Sequence, residues 1–313
     1  MTDTTPQPPA SAATLDADPS GSDAIAPLKA AVDARLATLF HEQREPPRLI
    51  CAIRHGLLSP GKRLRPIIAM LACEQSGGGA NDALDAACAV EMVHAASLIM
   101  DDLPAMDDAR LRRGSVTTHV VFGEGTGMLA TITLLNEAFR VLSDMESVPS
   151  ERRLRCVSAL AQAVGPDGLA GGQEKDIACT GGGGMADVEL RHRQKTGALF
   201  AAAAAIGAEV ACASPDQVDA MAEYGLALGL AYQAFDDVID GASPQDTGKD
   251  AGQDDGKSTV VSLLGRDGAQ NAASHWLGRA KDIANRANQS GADISPLAVL
   301  ADRIADKFSG MAG

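Results

Sequence analysis

The sequence is poor in aromatic residues and has fewer basic residues than acidic ones. Trp, Tyr and Phe make up 3% of the 313 residues, whereas alanine, leucine and glycine are abundant. β-Sandwiches and barrels draw on aromatic and β-branched residues, so this composition favours helices. The 27 Lys and Arg against 41 Asp and Glu give a net charge of −14 at pH 7. Such an acidic balance argues against nucleic acid or an anionic membrane surface as a partner.

Closely spaced cysteines and long apolar runs are also missing. The six cysteines are scattered, with no CxxC and no Cys/His pair at zinc spacing, which argues against a zinc knot and favours a reducing compartment. No uninterrupted apolar run approaches the roughly 20 residues of a membrane-spanning helix, so we expect no membrane span. The N-terminus has four Asp before its first Lys and no apolar core of a signal peptide. We therefore expect a cytoplasmic protein.

The chain divides into a short polar tail and a long helical region. Residues 1–23 are rich in Pro, Ser, Thr, Ala and Asp without periodicity, which predicts a disordered tail. From residue 24 to 313 apolar residues recur at helical spacing, beginning with Leu28, Val32, Leu36 and Phe40. Helices are predicted up to Asp101 and over 126–144, 149–164, 186–211, 215–239, 268–289 and 296–308. We therefore predict a single all-α domain, large enough to enclose a central cavity.

Two groups of aspartates come at the ends of apolar helical segments. They are Asp101, Asp102, Asp107 and Asp108, and then Asp236, Asp237 and Asp240. Carboxylates crowded at the negative end of a helix dipole repel one another and raise one another's pKa. A hard divalent cation removes that conflict, and Mg2+ is the usual one where phosphates complete its shell. One such group alone is more often a solvated surface, but two are hard to explain in that way.

The few basic residues cluster beside these aspartates. GKRLRP (61–66) and RLRRG (110–114) flank the first group, and Lys195, Lys249 and Lys257 flank the second. Arg binds phosphate oxygens through its fork and Lys acts as a point charge, so a polyanionic ligand is indicated. The tripeptide GKS (256–258) resembles the end of a P-loop. Ala251 stands where that loop needs its first Gly, and no strand precedes it, so we expect no NTPase.

A series of motifs carries a family resemblance. In chain order they are GKRLRP (61–66), HAASLIMDDLPAMDDARLRRG (94–114), FGE (122–124), GGQEKDI (171–177), KTGALF (195–200), YQAFDDVID (232–240) and DTGKDAGQDDGKSTVVSLLG (246–265). This series resembles the short-chain trans-polyprenyl diphosphate synthases, most closely the geranylgeranyl diphosphate synthases of bacterial carotenoid pathways. The resemblance implies an isoprenoid-synthase bundle around a central cavity, usually a homodimer. Its substrates would be isopentenyl diphosphate and the allylic dimethylallyl, geranyl and farnesyl diphosphates.

The resemblance also implies a role for each matching residue. About three Mg2+ ions would be held, with substrate bound, by Asp101, Asp102, Asp107, Asp108, Asp236, Asp237 and Asp240. Isopentenyl diphosphate would be bound by Lys62, Arg65, His94 and Arg113. The allylic substrate would be bound by Arg112, Lys195, Thr196, Gln233, Lys249 and Lys257. We expect the catalytic set to be Asp101, Asp102, Lys195, Thr196, Gln233, Asp236 and Asp237.

The implied reaction is head-to-tail chain elongation, in which the allylic diphosphate leaves as pyrophosphate and the isopentenyl double bond attacks the allylic cation. Product length would follow from the residues before Asp101. One helical turn rises about 5.4 Å, close to one C5 unit. Related farnesyl-making enzymes often carry an aromatic residue five positions before the first Asp, where this chain has Ala96. We therefore predict a C20 product, with a farnesyl (C15) synthase as the alternative.

Two departures from the family pattern keep another alternative open. Many relatives have a Gly-Asp pair where this chain has Thr131 and Ile132, and His where it has Met100. A weakly active or non-catalytic partner subunit is therefore a second hypothesis. A terpene cyclase fits less well, because it normally lacks the second DDxxD and the paired basic segments.

Overall fold

The computed structural model describes residues 25–179, 183–240 and 258–311. Three predictions concern positions outside this part of the chain: the disordered tail at 1–23, and the substrate contacts of Lys249 and Lys257. The side chain of Asp240 is not described either, so its place in the predicted metal site stays a prediction, as does the single domain over 24–313.

Helices make up most of the described chain and strands almost none of it, which confirms the predicted all-α class. The first seven are α1 (Ile25–Leu39), α2 (Pro47–Leu57), α3 (Leu64–Gln75), α4 (Leu84–Asp101), α5 (Thr118–Phe122), α6 (Glu124–Ser143) and α7 (Ser150–Val164). They are followed by α8 (Leu169–Ile177), α9 (Met185–His192), a π-helix (Arg193–Gly197), α10 (Ala198–Val210), α11 (Pro215–Asp240), α12 (Val260–Arg286) and α13 (Pro296–Met311). A 3-10 turn spans Ala80–Ala83, and β1 (Leu111–Arg112) pairs antiparallel with β2 (Ser115–Val116).

The core lies where α10 packs against α3, α4, α7 and α11. Nearly every residue of α10 is buried, and most are alanines, whose small side chains let neighbouring helices approach closely. At Gly207 of α10, a Cβ atom would lie 2.1 Å from the Ala69 carbonyl oxygen of α3, so the two backbones touch. This close packing of small residues explains how a chain with few aromatic residues still forms an extensive core.

Two predicted helix boundaries were wrong, although the apolar stripe of α1 was right: Val32 and Leu36 are fully buried. The predicted helix over 186–211 is divided into α9, the π-helix and α10. A π turn adds a residue without a proline or a glycine cluster to mark it in the sequence. The helix predicted from 268 begins at Val260 instead, and it is kinked at Gly265, whose φ of 72° only glycine adopts readily.

One helical stretch bears on the expectation that the chain has no membrane span. Residues Ala80–Asp101 are long and apolar enough to cross a membrane by length and composition alone, although charged residues interrupt the run. In the structure 67% of that window is buried against other parts of the bundle. Its apolar character therefore has a structural cause, since α4 is an inner helix packed by α3, α6 and α10.

Candidate active site

The first aspartate group lies at the end of α4, where the chain turns back on itself. The amide of Asp107 donates to the Asp101 carbonyl at 2.9 Å, which brings the two aspartates together. Burial raises the pKa of Asp101 to about 6, and the charges of Asp107 and Asp102 add to that shift while Lys195 opposes it. Burial also raises the pKa of Asp102, whose Oδ1 accepts from Arg112 Nε at 2.6 Å. Asp101 is partly buried, no hydrogen bond from an arginine to its carboxyl group is seen in the described residues, and this carboxyl group favours a cation beside it.

The second aspartate group lies in the last turn of α11. Asp237 accepts hydrogen bonds from Gln233 Nε2 at 3.2 Å and from the amide of Val260 at 3.0 Å. The ring Nε2 of His192 lies 3.7 Å from Asp237 Oδ2, and burial lowers the pKa of this histidine to about 4. Asp237 is thus held in one orientation by neighbours from three elements. Asp236 contributes to the field that acts on Arg65.

The donor chemistry of both groups fits Mg2+, which prefers carboxylate oxygens. In the described residues, however, no three His, Cys, Asp or Glu side chains are arranged as a complete metal cage. Because the side chain of Asp240 is not described, the predicted convergence of Asp236, Asp237 and Asp240 stays a prediction. Two of the predicted metal ligands have protein partners: Asp102 is bound to Arg112, and Asp237 is bound to the start of α12. Substrate oxygens would have to complete the coordination shell.

The π-helix places the two residues that the KTGALF motif singled out. Lys195 Nζ lies 2.7 Å from Asp176 Oδ2 of α8, and Thr196 donates to Gln233 Oε1 at 2.9 Å. Because Gln233 donates in turn to Asp237, a hydrogen-bonded chain connects the π-helix with the second aspartate group. Extra residues in π turns often mark functional sites.

Sequence reasoning missed two residues that hold this arrangement, Asp176 and Gly172. Asp176 also lies 3.4 Å from Arg191 Nε and so joins two cations from successive helical segments. A Cβ at Gly172 would lie 2.3 Å from the amide nitrogen of Lys195, so α8 and the π-helix touch at this glycine. Both residues belong to GGQEKDI, which carried the resemblance, so the motif itself was the available signal.

Three residues predicted to bind isopentenyl diphosphate meet beside α3. Arg65 Nη1 lies 3.3 Å from His94 Nε2, and its guanidinium lies 4.5 Å from the centre of the Phe200 ring. Burial lowers the pKa of Arg65 to about 10, and burial together with Arg65 and Arg113 holds the pKa of His94 well below its usual value. Lys62 Nζ donates to the Tyr232 hydroxyl at 3.1 Å. This is a cationic pocket suited to an anion.

Arg112 and Arg113, the other two arginines predicted to bind substrate, have different hydrogen-bond partners. Arg112, predicted to bind the allylic substrate, is bound to Asp102. Arg113, predicted for isopentenyl diphosphate, is exposed and donates to the Pro60 carbonyl at 3.3 Å. A Cβ at Gly61 would lie 2.6 Å from its Nη1, so the glycine of GKRLRP makes room for this arginine.

An all-helical bundle with aspartates at two helix ends, linked by lysine and arginine side chains, is typical of synthases that act on diphosphates. The Polyprenyl synthetase family profile matches residues 46–294. The chain therefore belongs to the polyprenyl synthetase family, which confirms the resemblance.

Individual relatives agree with this assignment. The chain is 41% identical over 272 residues to a geranylgeranyl diphosphate synthase of Pantoea ananas, covering 86% of this chain and 89% of the relative. Among solved structures, an FPP/GFPP synthase from Zymomonas mobilis has a TM-score of 0.77 and 32% identity, covering 90% of this chain and 99% of its own. A geranyltransferase from Helicobacter pylori, complexed with magnesium and isoprenyl diphosphate, has a TM-score of 0.77 and 25% identity, covering 93% and 99%.

Proposed function

We propose that this chain is a prenyltransferase that condenses isopentenyl diphosphate with allylic diphosphates and releases geranylgeranyl diphosphate. The observation that carries the proposal is the presence of two separate cationic sites in a chain that also has the two aspartate groups. Lys195 acts on Asp101 in one site, and Arg65 with His94 forms the other. Two diphosphates must be bound at once for chain elongation, and this arrangement offers a place for each. The relatives named above support the same activity.

Mg2+ bound by the aspartates of α4 and α11 would supply positive charge to the departing diphosphate. The chain's own contribution begins with Lys195, whose ammonium group is fixed by Asp176 at 2.7 Å. An ammonium held in place before reaction stabilises charge on the leaving oxygens without reorganising. Arg112 likewise donates a hydrogen bond to Asp102 and fixes that carboxylate. The number of ions, about three, rests on the family resemblance and the usual neutralisation of polyphosphates by metal clusters.

The allylic cation needs a site that is dry and that presents negative dipoles. Thr196 is buried, and because its hydroxyl proton is donated to Gln233, its oxygen lone pairs remain free for a cation. The Gln233 amide is oriented by two bonds, since its oxygen accepts from Thr196 and its nitrogen donates to Asp237. We assign the last proton to the bound pyrophosphate, because no side chain of the site in the described residues stands out as a base.

Isopentenyl diphosphate would occupy the pocket of Lys62, Arg65, His94 and Arg113. Depression of the His94 pKa keeps this imidazole neutral at physiological pH, so it offers one N–H to a phosphate oxygen rather than a charge. Arg65 stays charged there, since even its lowered pKa is about 10. The charge of this pocket therefore comes from the lysine and the arginines.

We propose the C20 product because the side chain at position 96 of α4 is small. Ala96 is fully buried, and the hydroxyl of Thr131 on α6 lies 3.5 Å from its carbonyl oxygen. Small side chains at this level would allow a growing chain to pass, whereas an aromatic ring would stop it. At the first departure from the family pattern Thr131 is buried and Ile132, which replaces the Asp, is 62% exposed; at the second, Met100 is 37% exposed. The carboxylates and cations assigned to the site above lie at other positions. This favours an active enzyme over a non-catalytic subunit.

We also propose that the chain is cytoplasmic and that two copies of it form a homodimer. Three apolar residues of α6, Met128, Leu129 and Ile132, are 48%, 55% and 62% exposed, and Val121 of α5 is exposed beside them in sequence. Exposed apolar residues clustered on one face are typical of a surface covered by a partner. A second copy of the chain is the occupant that the family resemblance implies.

The proposal is tested with purified protein, isopentenyl diphosphate, dimethylallyl diphosphate and Mg2+, followed by chain-length analysis of the products. We expect C20 as the main product and none after EDTA treatment. Asp101→Ala and Asp237→Ala should each lower turnover at least about 100-fold, because they remove charge stabilisation of the transition state. Asp144→Ala, which removes a surface partner of Arg140, is the control and should leave turnover unchanged.

Each other outcome identifies an alternative. A C15 product would indicate a farnesyl diphosphate synthase. No product from the pure chain, with product after addition of a second prenyl synthase chain, would indicate a partner subunit.

A further inference from the structure

A buried ion cluster includes Arg63, two residues before Arg65, and Glu91, three residues before His94 on α4, and it has no part in the reaction described above. Arg63 is its centre and is only 5% exposed. Its Nε lies 2.7 Å from Asp33 Oδ1 of α1, its Nη1 lies 2.8 Å from Glu91 Oε1 of α4, and its Nη2 donates to the Ser59 carbonyl at 3.0 Å. The guanidinium is therefore held on three sides by Asp33, Glu91 and the Ser59 carbonyl.

The neighbouring arginine is in the opposite situation. Arg65 has no carboxylate hydrogen bond in the described part of the chain, and its buried Nε has no hydrogen-bond partner there. Its contacts are His94 and the face of Phe200. A buried guanidinium with an unused donor is expected where an anion binds, because leaving such a donor unpaired is costly.

Glu91 is the carboxylate that could occupy this arginine. It lies three residues before His94 on α4, so the two side chains share one face of the helix, and His94 touches Arg65. Among the charges that favour the ionised form of Arg65, that of Glu91 acts most strongly. Glu91 itself is 3% exposed and hydrogen-bonded to Arg63. It is thus close enough to attract Arg65 and is bound to another partner.

We propose that Arg63 is a positioning residue that holds Glu91 away from Arg65 and so keeps Arg65 open for the diphosphate of isopentenyl diphosphate. The inference rests on the proposed function, since it concerns the same pocket. A buried carboxylate needs a cationic partner, because an unpaired buried charge is strongly unfavourable. Without Arg63, Glu91 would form an ion pair with Arg65. The guanidinium of Arg65 would then bind Glu91 instead of the phosphate of the substrate.

The test is a double-mutant cycle with Arg63→Met, Glu91→Gln and the combined variant. For each, KM and kcat are measured with isopentenyl diphosphate and, separately, with dimethylallyl diphosphate as the varied substrate. We expect Arg63→Met to raise KM for isopentenyl diphosphate about tenfold or more, the equivalent of one lost favourable contact. KM for the allylic substrate should stay within about twofold. Glu91→Gln alone should bind isopentenyl diphosphate at least as tightly as the unaltered chain.

The combined variant decides between capture and simple damage. If Glu91 captures Arg65, removing its charge restores KM for isopentenyl diphosphate to within about threefold of the original value. A merely structural role would leave the combined variant as impaired as Arg63→Met. Arg35→Met is the matched control, because it breaks another ion pair between α1 and α4, Arg35 with Asp85 at 2.6 Å, away from Arg65. It should change neither KM.

Folding and function are separated by further measurements. Circular dichroism and thermal melting show whether each variant is folded. If Arg63→Met is not, Arg63→Lys takes its place, with a smaller rise in KM and the same rescue by Glu91→Gln. Calorimetric titration with isopentenyl diphosphate gives the same ranking without turnover. An unaltered chain that makes no prenyl product refutes the proposed function. An active chain in which Arg63→Met and Arg63→Lys keep their KM, or in which the combined variant stays impaired, refutes the role of Arg63.

Discussion

Asp101 is partly buried beside two other carboxylates, and its pKa of about 6 has a consequence for stability. The value lies above the ordinary 3.8, so between these two pH values the native chain binds a proton that the unfolded chain does not. The stability that comes from this proton is fully present below about pH 4 and is lost as the pH rises through about 6. Above that pH, the metal-free protein keeps a buried negative charge that destabilises it.

This balance predicts opposite effects of Asp101→Asn on stability and on activity. In EDTA at about pH 7.5, the variant should melt about 3 °C higher than the original chain, because a neutral amide of the same size replaces a buried charge. Near pH 4.5 the two should melt at closer temperatures. With Mg2+, turnover should fall at least about 100-fold. Scanning calorimetry and product assays check both, with the surface variant Asp144→Asn as control. A lower melting temperature at pH 7.5 would contradict the burial of a charged Asp101.

A second prediction at the residue scale concerns product length. Ala96→Tyr should shift the product from C20 to C15, because the ring fills the space one turn and a half before Asp101 that the growing chain would enter. Product analysis by reverse-phase chromatography measures the shift. Thr131→Ser, which alters the neighbouring side chain without adding bulk, should keep the C20 product. An unchanged product from Ala96→Tyr would show that this position does not limit chain length.

At the scale of the element, the π-helix positions both Lys195 and Thr196, and its conformation depends on contact with α8. Gly172→Ala should displace it, because a Cβ would lie 2.3 Å from the Lys195 amide nitrogen, with backbone rather than a flexible side chain as the obstacle. We expect a fall in kcat of about tenfold or more and a loss of about 1–3 kcal/mol in the free energy of unfolding.

Steady-state kinetics and denaturant titration measure these two effects. Gly278→Ala in α12 is the control, because its Cβ would meet nothing within 4 Å. Replacing this helical glycine should stabilise the protein by about 0.5–1 kcal/mol and leave kcat unchanged. A Gly172→Ala variant with normal kcat would show that Lys195 does not depend on this contact.

The helices were largely predictable from the sequence, but the break between α9 and α10 was not. Val188, Thr196 and Phe200 are all buried, so the spacing of residues that face the interior continues through the π turn. The extra residue is imposed by partners that are distant in sequence, such as Asp176 and Gln233. Local periodicity cannot report such contacts, because it contains no information about the helix on the other side.

At the scale of the whole molecule, the sequence located the site but not its internal connections. The aspartate groups and basic segments were recognisable, because metal-binding and phosphate-binding residues are concentrated in short motifs. The pairing of Arg112 with Asp102 and of Arg63 with Glu91 was not predicted. These ion pairs depend on how separate elements approach each other, and any of several nearby cations would fit the same carboxylate in the sequence alone.

The last prediction concerns assembly. The exposed apolar residues of α6 should form the contact between two copies, so the chain of 32.1 kDa should have a mass of about 64 kDa in solution by light scattering. Ile132→Asp should yield a monomer, because Ile132 is 62% exposed on this surface and two carboxylates would be buried on association. Leu154→Asp is the matched control: Leu154 is 68% exposed on α7, outside the surface, and its replacement should leave the dimer intact. Dissociation by Leu154→Asp but not by Ile132→Asp would place the contact on a different face.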